Sequence, residues 1–188
     1  LGMTGPMRLN LIVGEQPEEV AGMIASSDVF PALGVQPALG RAYGPAEDED
    51  GNDRVIVVSH DFWRTRLGSR PDAIGTTITT NGIPRTLVGV MPPDFTMLGQ
   101  KTDFLIPYGW TMEDLRSAPG RGFSYGLARL RDGVSFEQAS SDMKTIAAQL
   151  EKEFPQRNAR WSVTLVPVHE QTVDQIRPAL QVLGGAVL

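Results

Sequence analysis

The 188-residue chain predicts an α+β fold in two parts. Three observations carry that prediction. Asn81-Gly82 joins β-prone TTITT to IPRTLVGV, the strongest two-residue hairpin signal. RVIVVS (54–59) runs four aliphatic residues together, as a strand buried on both faces does. Ser135-x-x-Gln138 forms a capping box ahead of a helical apolar repeat, and the alternating WSVTLVPV (161–168) follows. The last of these makes a strand–helix–strand unit of 122–168. The first two put a strand-rich region upstream of it, over 28–110.

RLNLIV (8–13) reads as a strand and EEVAGMIAS (18–26) as its return, with turn residues Gly14-Glu15-Gln16-Pro17 between. SSDVFPALG predicts one helical turn, capped by Ser27 or Asp28 and stopped at Gly34. GPAEDEDGND (44–53) is acidic, but it fails as a calcium loop. With Gly51 at the sixth position, Ala46 and Val57 stand where the first and twelfth carboxylates belong. A solvated loop is the expectation there. Ser59 is placed to cap a helix through HDFWRTRL, with Asp61 in its first turn and Gly68 beyond its end.

Pro84 lacks an N–H, so it must face an unpaired position. Met91-Pro92-Pro93 cannot continue the ladder, because each proline fixes φ and restricts its predecessor. TDFLIPYGW (102–110) and GFSYGLARLR (122–131) read as further extended segments. In the capped helix, Phe136, Ala139, Met143, Ile146, Ala147, Leu150 and Phe154 recur at steps of three and four, and Pro155 stops the pattern.

Composition narrows the function classes. Net charge is −5, which disfavours nucleic acid as a partner. There is no cysteine, so disulfides and thiolate metal sites are excluded. No nucleotide-binding glycine motif occurs. The two histidines, His60 and His169, lack the spacing of a zinc site. Ser59, His60 and Asp61 adjoin in sequence, but adjacent side chains diverge, and capping accounts for Ser59 and Asp61. The reading is of a non-enzymatic chain without cofactor. ALQVLGGAVL (179–188) carries no charge. It fits either a buried helix or the start of a membrane helix, which needs about 20 residues to span.

Several ordered blocks together resemble one family. They are SSDVFPALGVQPALGRAYGPAEDED, then RVIVVSHDFWRTRLGSRPDAIGTTITTNGIPRTLVGVMPPDF, then GLARLRDGVSFEQASSDMKTIAAQLEKEFP. They are similar to the MacB-like periplasmic core domain of FtsX-like ABC transporter permeases, from about Glu18 onward. The resemblance implies a porter-like βαβ subdomain (1–27 and 116–175) interrupted by a β-rich, Sabre-like subdomain (28–115). Residues 178–188 would begin the following transmembrane helix. The family places a strand and a helix ahead of this region; the resemblance implies that the porter-like half is incomplete at its N-terminal side. The resemblance also implies a domain outside the bacterial inner membrane. It would couple a separate nucleotide-binding ATPase to substrate export, or to a periplasmic adaptor or substrate protein, within a full-length homodimer. Phe95, Met97 and Leu98, beyond the proline lock, are candidate contacts at a rigid apolar tip; Phe95 filling the core is the competing and favoured expectation. A free-standing periplasmic module for an apolar ligand or peptide is the alternative function.

Overall fold

The computed structural model describes residues 1–13, 16–109 and 125–168. It divides into two compact units. The first holds Leu1–Met97 and Lys101–Arg129; the second holds Leu98–Gln100 and residues from Leu130 onward.

The first unit is built on eight strands: β1 (Gly2–Val13), β2 (Gln16–Ala25), β3 (Leu39–Gly40), β4 (Val55–Val58), β5 (Thr77–Thr80), β6 (Ile83–Val90), β7 (Phe104–Ile106) and β8 (Tyr125–Leu127). Two helices join them, α1 (Val29–Leu33) and α2 (His60–Arg66). Six strands pair in a closed ring, β2-β7-β4-β6-β5-β1 and back to β2. Closure leaves no free edge along that circuit. β3 attaches to β6, and β8 to the start of β1. The β2–β7 and β4–β6 pairs are parallel, and the others in the ring are antiparallel.

The ring encloses a core of Leu9, Leu11, Val20, Ile56, Val58, Ile78, Leu87, Val90, Phe104 and Ile106, with Phe62 of α2 packed among them. Val57 and Leu105 are ladder partners on the opposite face and are also buried. These two strands are therefore covered on both faces, which is why RVIVVS shows no alternation.

Local chemistry explains the joints. Asn81 and Gly82 take φ of 50° and 79°, the left-handed pair that a two-residue turn needs. Leu87 donates its N–H to Thr76 O, and Thr86 donates to Arg54 O on the other side, each at 2.9 Å. By that alternation Pro84 faces the β4 side, but the β4 ladder starts only at Thr86. No donor is lost there. Pro6 obeys the same logic. Met3 bonds Ser26 on the β2 side, and Asn10 bonds Asn81 on the other. Even-numbered residues of β1 thus point away from β2, and Pro6 gives up no β2 bond.

β1 and β2, from the first part of the porter-like subdomain that the resemblance implies, pair with β5 and β7 of the strand-rich region. A hairpin of twelve and ten residues offers two long edges, and these close the ring. Of the strand–helix–strand unit expected over 122–168, the described residues show the strand β8 (Tyr125–Leu127) and the capped helix, and among them residues 161–167 join no ladder. Alternation in WSVTLVPV marks strand propensity, but a strand also needs a neighbour.

In the second unit, α3 (Phe136–Glu153) runs 18 residues. Ser135 Oγ accepts the Gln138 N–H at 3.1 Å, as the capping box predicts. The short α4 (Pro155–Asn158) follows, starting on Pro155.

Candidate functional site

The segment after β6 carries the candidate contacts. Met91 is buried, and its N–H reaches Val58 O at 2.8 Å, fastening the proline stretch to β4. The chain then turns through Pro93 and Asp94. Phe95 donates its N–H to Pro92 O at 3.3 Å, and Asp94 has φ of 62°. A positive φ at the second central residue is what a type II turn demands. The proline lock is thus a tight turn that aims the chain back.

The three candidates separate at this point. Met97 is wholly buried and Leu98 nearly so. Phe95 is half-buried. Two of the three apolar side chains are therefore interior packing in this structure, and Phe95 alone keeps appreciable surface.

Ser59 and His60, adjacent in sequence, are occupied otherwise. Ser59 Oγ accepts the Phe62 N–H at 3.0 Å and caps α2. The His60 ring meets Trp63 edge-on, with centroids 5.4 Å apart.

Most of the acidic loop is exposed, as expected of a solvated loop, but three of its carboxylates are tied down. Asp48 accepts the Ser27 N–H through both carboxylate oxygens, at 2.8 and 3.1 Å, just ahead of α1. Asp28, the N-cap of α1, makes no side-chain cap; the Val29 and Phe30 N–H groups donate to Ser26 O and Ser27 O, and Asp48 holds the Ser27 N–H ahead of the helix. Glu47 accepts from Gly44 N–H and pairs with Arg41, both at 2.6 Å. Burial raises its carboxyl pKa, but the Arg41 and Gly44 bonds more than offset this, and it titrates below the usual range. Asp53 pairs with Arg85 at 3.2 Å. Arg85 is buried, and it also donates to Asp53 O and, at 3.1 Å, to Thr80 Oγ1.

Sequence reasoning missed one surface. Among the described residues the apolar stripe of α3 is mostly uncovered: Ala147 is buried, while Ile146 is 47% exposed, Leu150 41% and Phe154, just past the helix, 54%. Trp161 is 53% exposed. Periodicity shows that a helix has an apolar face; it does not say whether anything covers that face.

With the ring, the capped helix and this surface described, the chain can be set beside known proteins. The family model for the MacB-like periplasmic core domain matches residues 4–146, and the chain belongs to that family. Its class is therefore that of extracytoplasmic domains of MacB-like ABC transporter permeases. Solved structures share the mixed helix-and-strand fold. The periplasmic region of MacB from Actinobacillus actinomycetemcomitans superposes with a TM-score of 0.56 at 16% identity, covering 84% of this chain and 68% of that one. The extracellular domain of the noncanonic ABC-type transporter YknZ from Gram-positive bacteria gives 0.57 at 14% identity, covering 84% and 78%. A domain of a putative permease protein from Porphyromonas gingivalis gives 0.56 at 17%, covering 84% and 68%. No curated protein sequence matches the chain. No helix among the described residues is long and apolar enough to cross a membrane.

Proposed function

We propose that this chain is the force-transmitting part of a bacterial permease outside the membrane. It performs no catalysis and holds no cofactor. A separate nucleotide-binding subunit or domain hydrolyses ATP, and this domain passes the resulting motion to a substrate or a periplasmic partner protein. Family membership over residues 4–146 carries the reading. The closed strand ring is consistent with it, since closure removes the free edges at which a strand could pair with another chain.

In the porter-like layout, the uncovered stripe of α3 is where the remaining elements of that half pack. Leaving Ile146, Leu150 and Phe154 in water exposes apolar surface worth about 25 cal/mol per Å² when buried. Phe95 is the contact residue of the three candidates, because it retains surface on a turn held by Pro92 and Pro93. A pre-formed turn lowers the ordering cost of binding.

The parent gene tests the class: hydrophobic spans should flank the segment encoding this chain, and a product with none overturns the reading. Transport by the full-length permease tests the contact. Phe95→Ser should reduce transport per folded molecule, whereas lower stability with transport intact removes Phe95 from the contact surface.

A further inference from the structure

Three seams of the ring are short, β2–β7, β4–β7 and β1–β5, and the last is closed by the hairpin tip. β1 and β5 share two ladder pairs, Leu11↔Thr80 and Ile12↔Thr79. Beyond them the hairpin tip is clasped to β1 through Asn81: its N–H donates to Asn10 O, and its side-chain Oδ1 accepts the Asn10 N–H, both at 2.8 Å. The residue after Asn81 is Gly82. Apart from its own chain neighbours, no atom lies within 4 Å of where a Gly82 Cβ would stand, and its N–H has no partner among the described residues. An asparagine followed by an unshielded glycine is the pairing most open to intramolecular cyclisation, because no Cβ hinders the attacking nitrogen.

We propose that Asn81-Gly82 is a site of spontaneous covalent modification, that the clasp to Asn10 restrains it, and that its isoaspartate product unfastens the β1–β5 seam. The Gly82 amide nitrogen loses its proton to solvent base and attacks Asn81 Cγ. A C–N bond forms, the Cγ–Nδ2 bond breaks, and Nδ2 takes up a proton and leaves as ammonia. Water then opens the five-membered imide at one carbonyl or the other, giving aspartate or isoaspartate. Aspartate keeps both the acceptor for Asn10 and the two-residue turn. Isoaspartate inserts an extra methylene into the backbone, so the turn no longer spans Thr80 and Ile83 in register, and the clasp groups shift off Asn10. The folded turn holds Asn81 Oδ1 and N–H in two hydrogen bonds, so attack requires their release first. That slows conversion about thirtyfold (about 2 kcal/mol) relative to the unfolded chain.

The test incubates the 188-residue chain at mildly alkaline pH, native and in urea, and follows isoaspartate by peptide mapping. In urea, isoaspartate should appear at residue 81, and the native chain should form it about thirtyfold more slowly. After removal of urea, chains carrying it should melt at a lower temperature than the Asn81→Asp variant, which should match the unmodified chain. No isoaspartate at residue 81 in urea overturns the site. Equal rates in both states overturn the restraint. Equal melting of isoaspartate-bearing and Asn81→Asp chains overturns the effect on the seam.

Discussion

The ring of Phe104 lies over the backbone of Gly22: a Cβ built on Gly22 would come within 2.6 Å of three ring carbons. The two residues sit on the parallel pair β2 and β7, one position before the Met23↔Leu105 match. Phe104 is 1% exposed and cannot swing into water. Gly22→Ala therefore overpacks the core and should cost about 2 kcal/mol. Urea unfolding measures it. In a double-mutant cycle with Phe104→Leu, the combined cost should fall short of the sum of the single costs, because the smaller side chain vacates the contested space.

Arg85 is 6% exposed, and its Nε donates to Thr80 Oγ1 while its Nη1 donates to Asp53 O and the Asp53 carboxylate. Removing one partner of a buried pair leaves the other uncompensated. Arg85→Met should destabilise by about 3 kcal/mol in chemical denaturation. Arg85→Lys should recover only part of this, since an ammonium cannot reproduce the guanidinium fork.

Asp103 gives stability a pH dependence of opposite sign to that of most carboxylates. Burial raises its pKa; Arg66 opposes the shift, while Glu18 and Asp61 add to it. The folded chain thus holds this proton more tightly than the unfolded chain. Its contribution to stability is fully present below the ordinary carboxylate value and is lost as pH rises through the raised folded value. Asp103→Asn should melt higher than the parent at neutral pH and at the same temperature in acid. The gain should stay below about 1 kcal/mol, because the side chain is partly solvated. Melting temperatures across that pH interval test the sign.

Ser59 and Ser135 hold equivalent caps at 3.0 and 3.1 Å. Each Ser→Ala change should cost about 1 kcal/mol, and Ser→Asp should restore most of it. For Ser135→Ala, hydrogen exchange should quicken in the first turn of α3. If Ser59→Asp failed to restore stability, a cap would not explain that residue.

Much of the fold is legible where the signal is local. The Asn81-Gly82 turn, the Ser59 and Ser135 caps, the stop at Gly34 and the span of α3 follow from residues within a few positions of one another. So does Pro84, whose missing N–H needed only a gap in the next ladder. The family, too, was legible, because several short blocks in fixed order jointly carry more information than any one alone. The anchoring work of Asp48 and Asp53 was not legible: Ser27 and Arg85, their partners, are 21 and 32 positions away. The candidate site was half legible. The proline lock after Val90 was evident from sequence, but the burial that separates Met97 from Phe95 was not.

By itself the sequence determined which residues turn, cap and alternate, since those outcomes depend on backbone sterics and hydrogen bonds within one or two turns of chain. Only the tertiary structure decided that β1 and β2 close a ring with β5 and β7 and that, among the described residues, 161–167 join no ladder and the apolar stripe of α3 keeps much of its surface exposed. Strand pairing and burial belong to pairs of distant segments. A segment's own pattern states what it can pair with, and the choice among partners is made by whichever edges and faces the rest of the chain brings beside it.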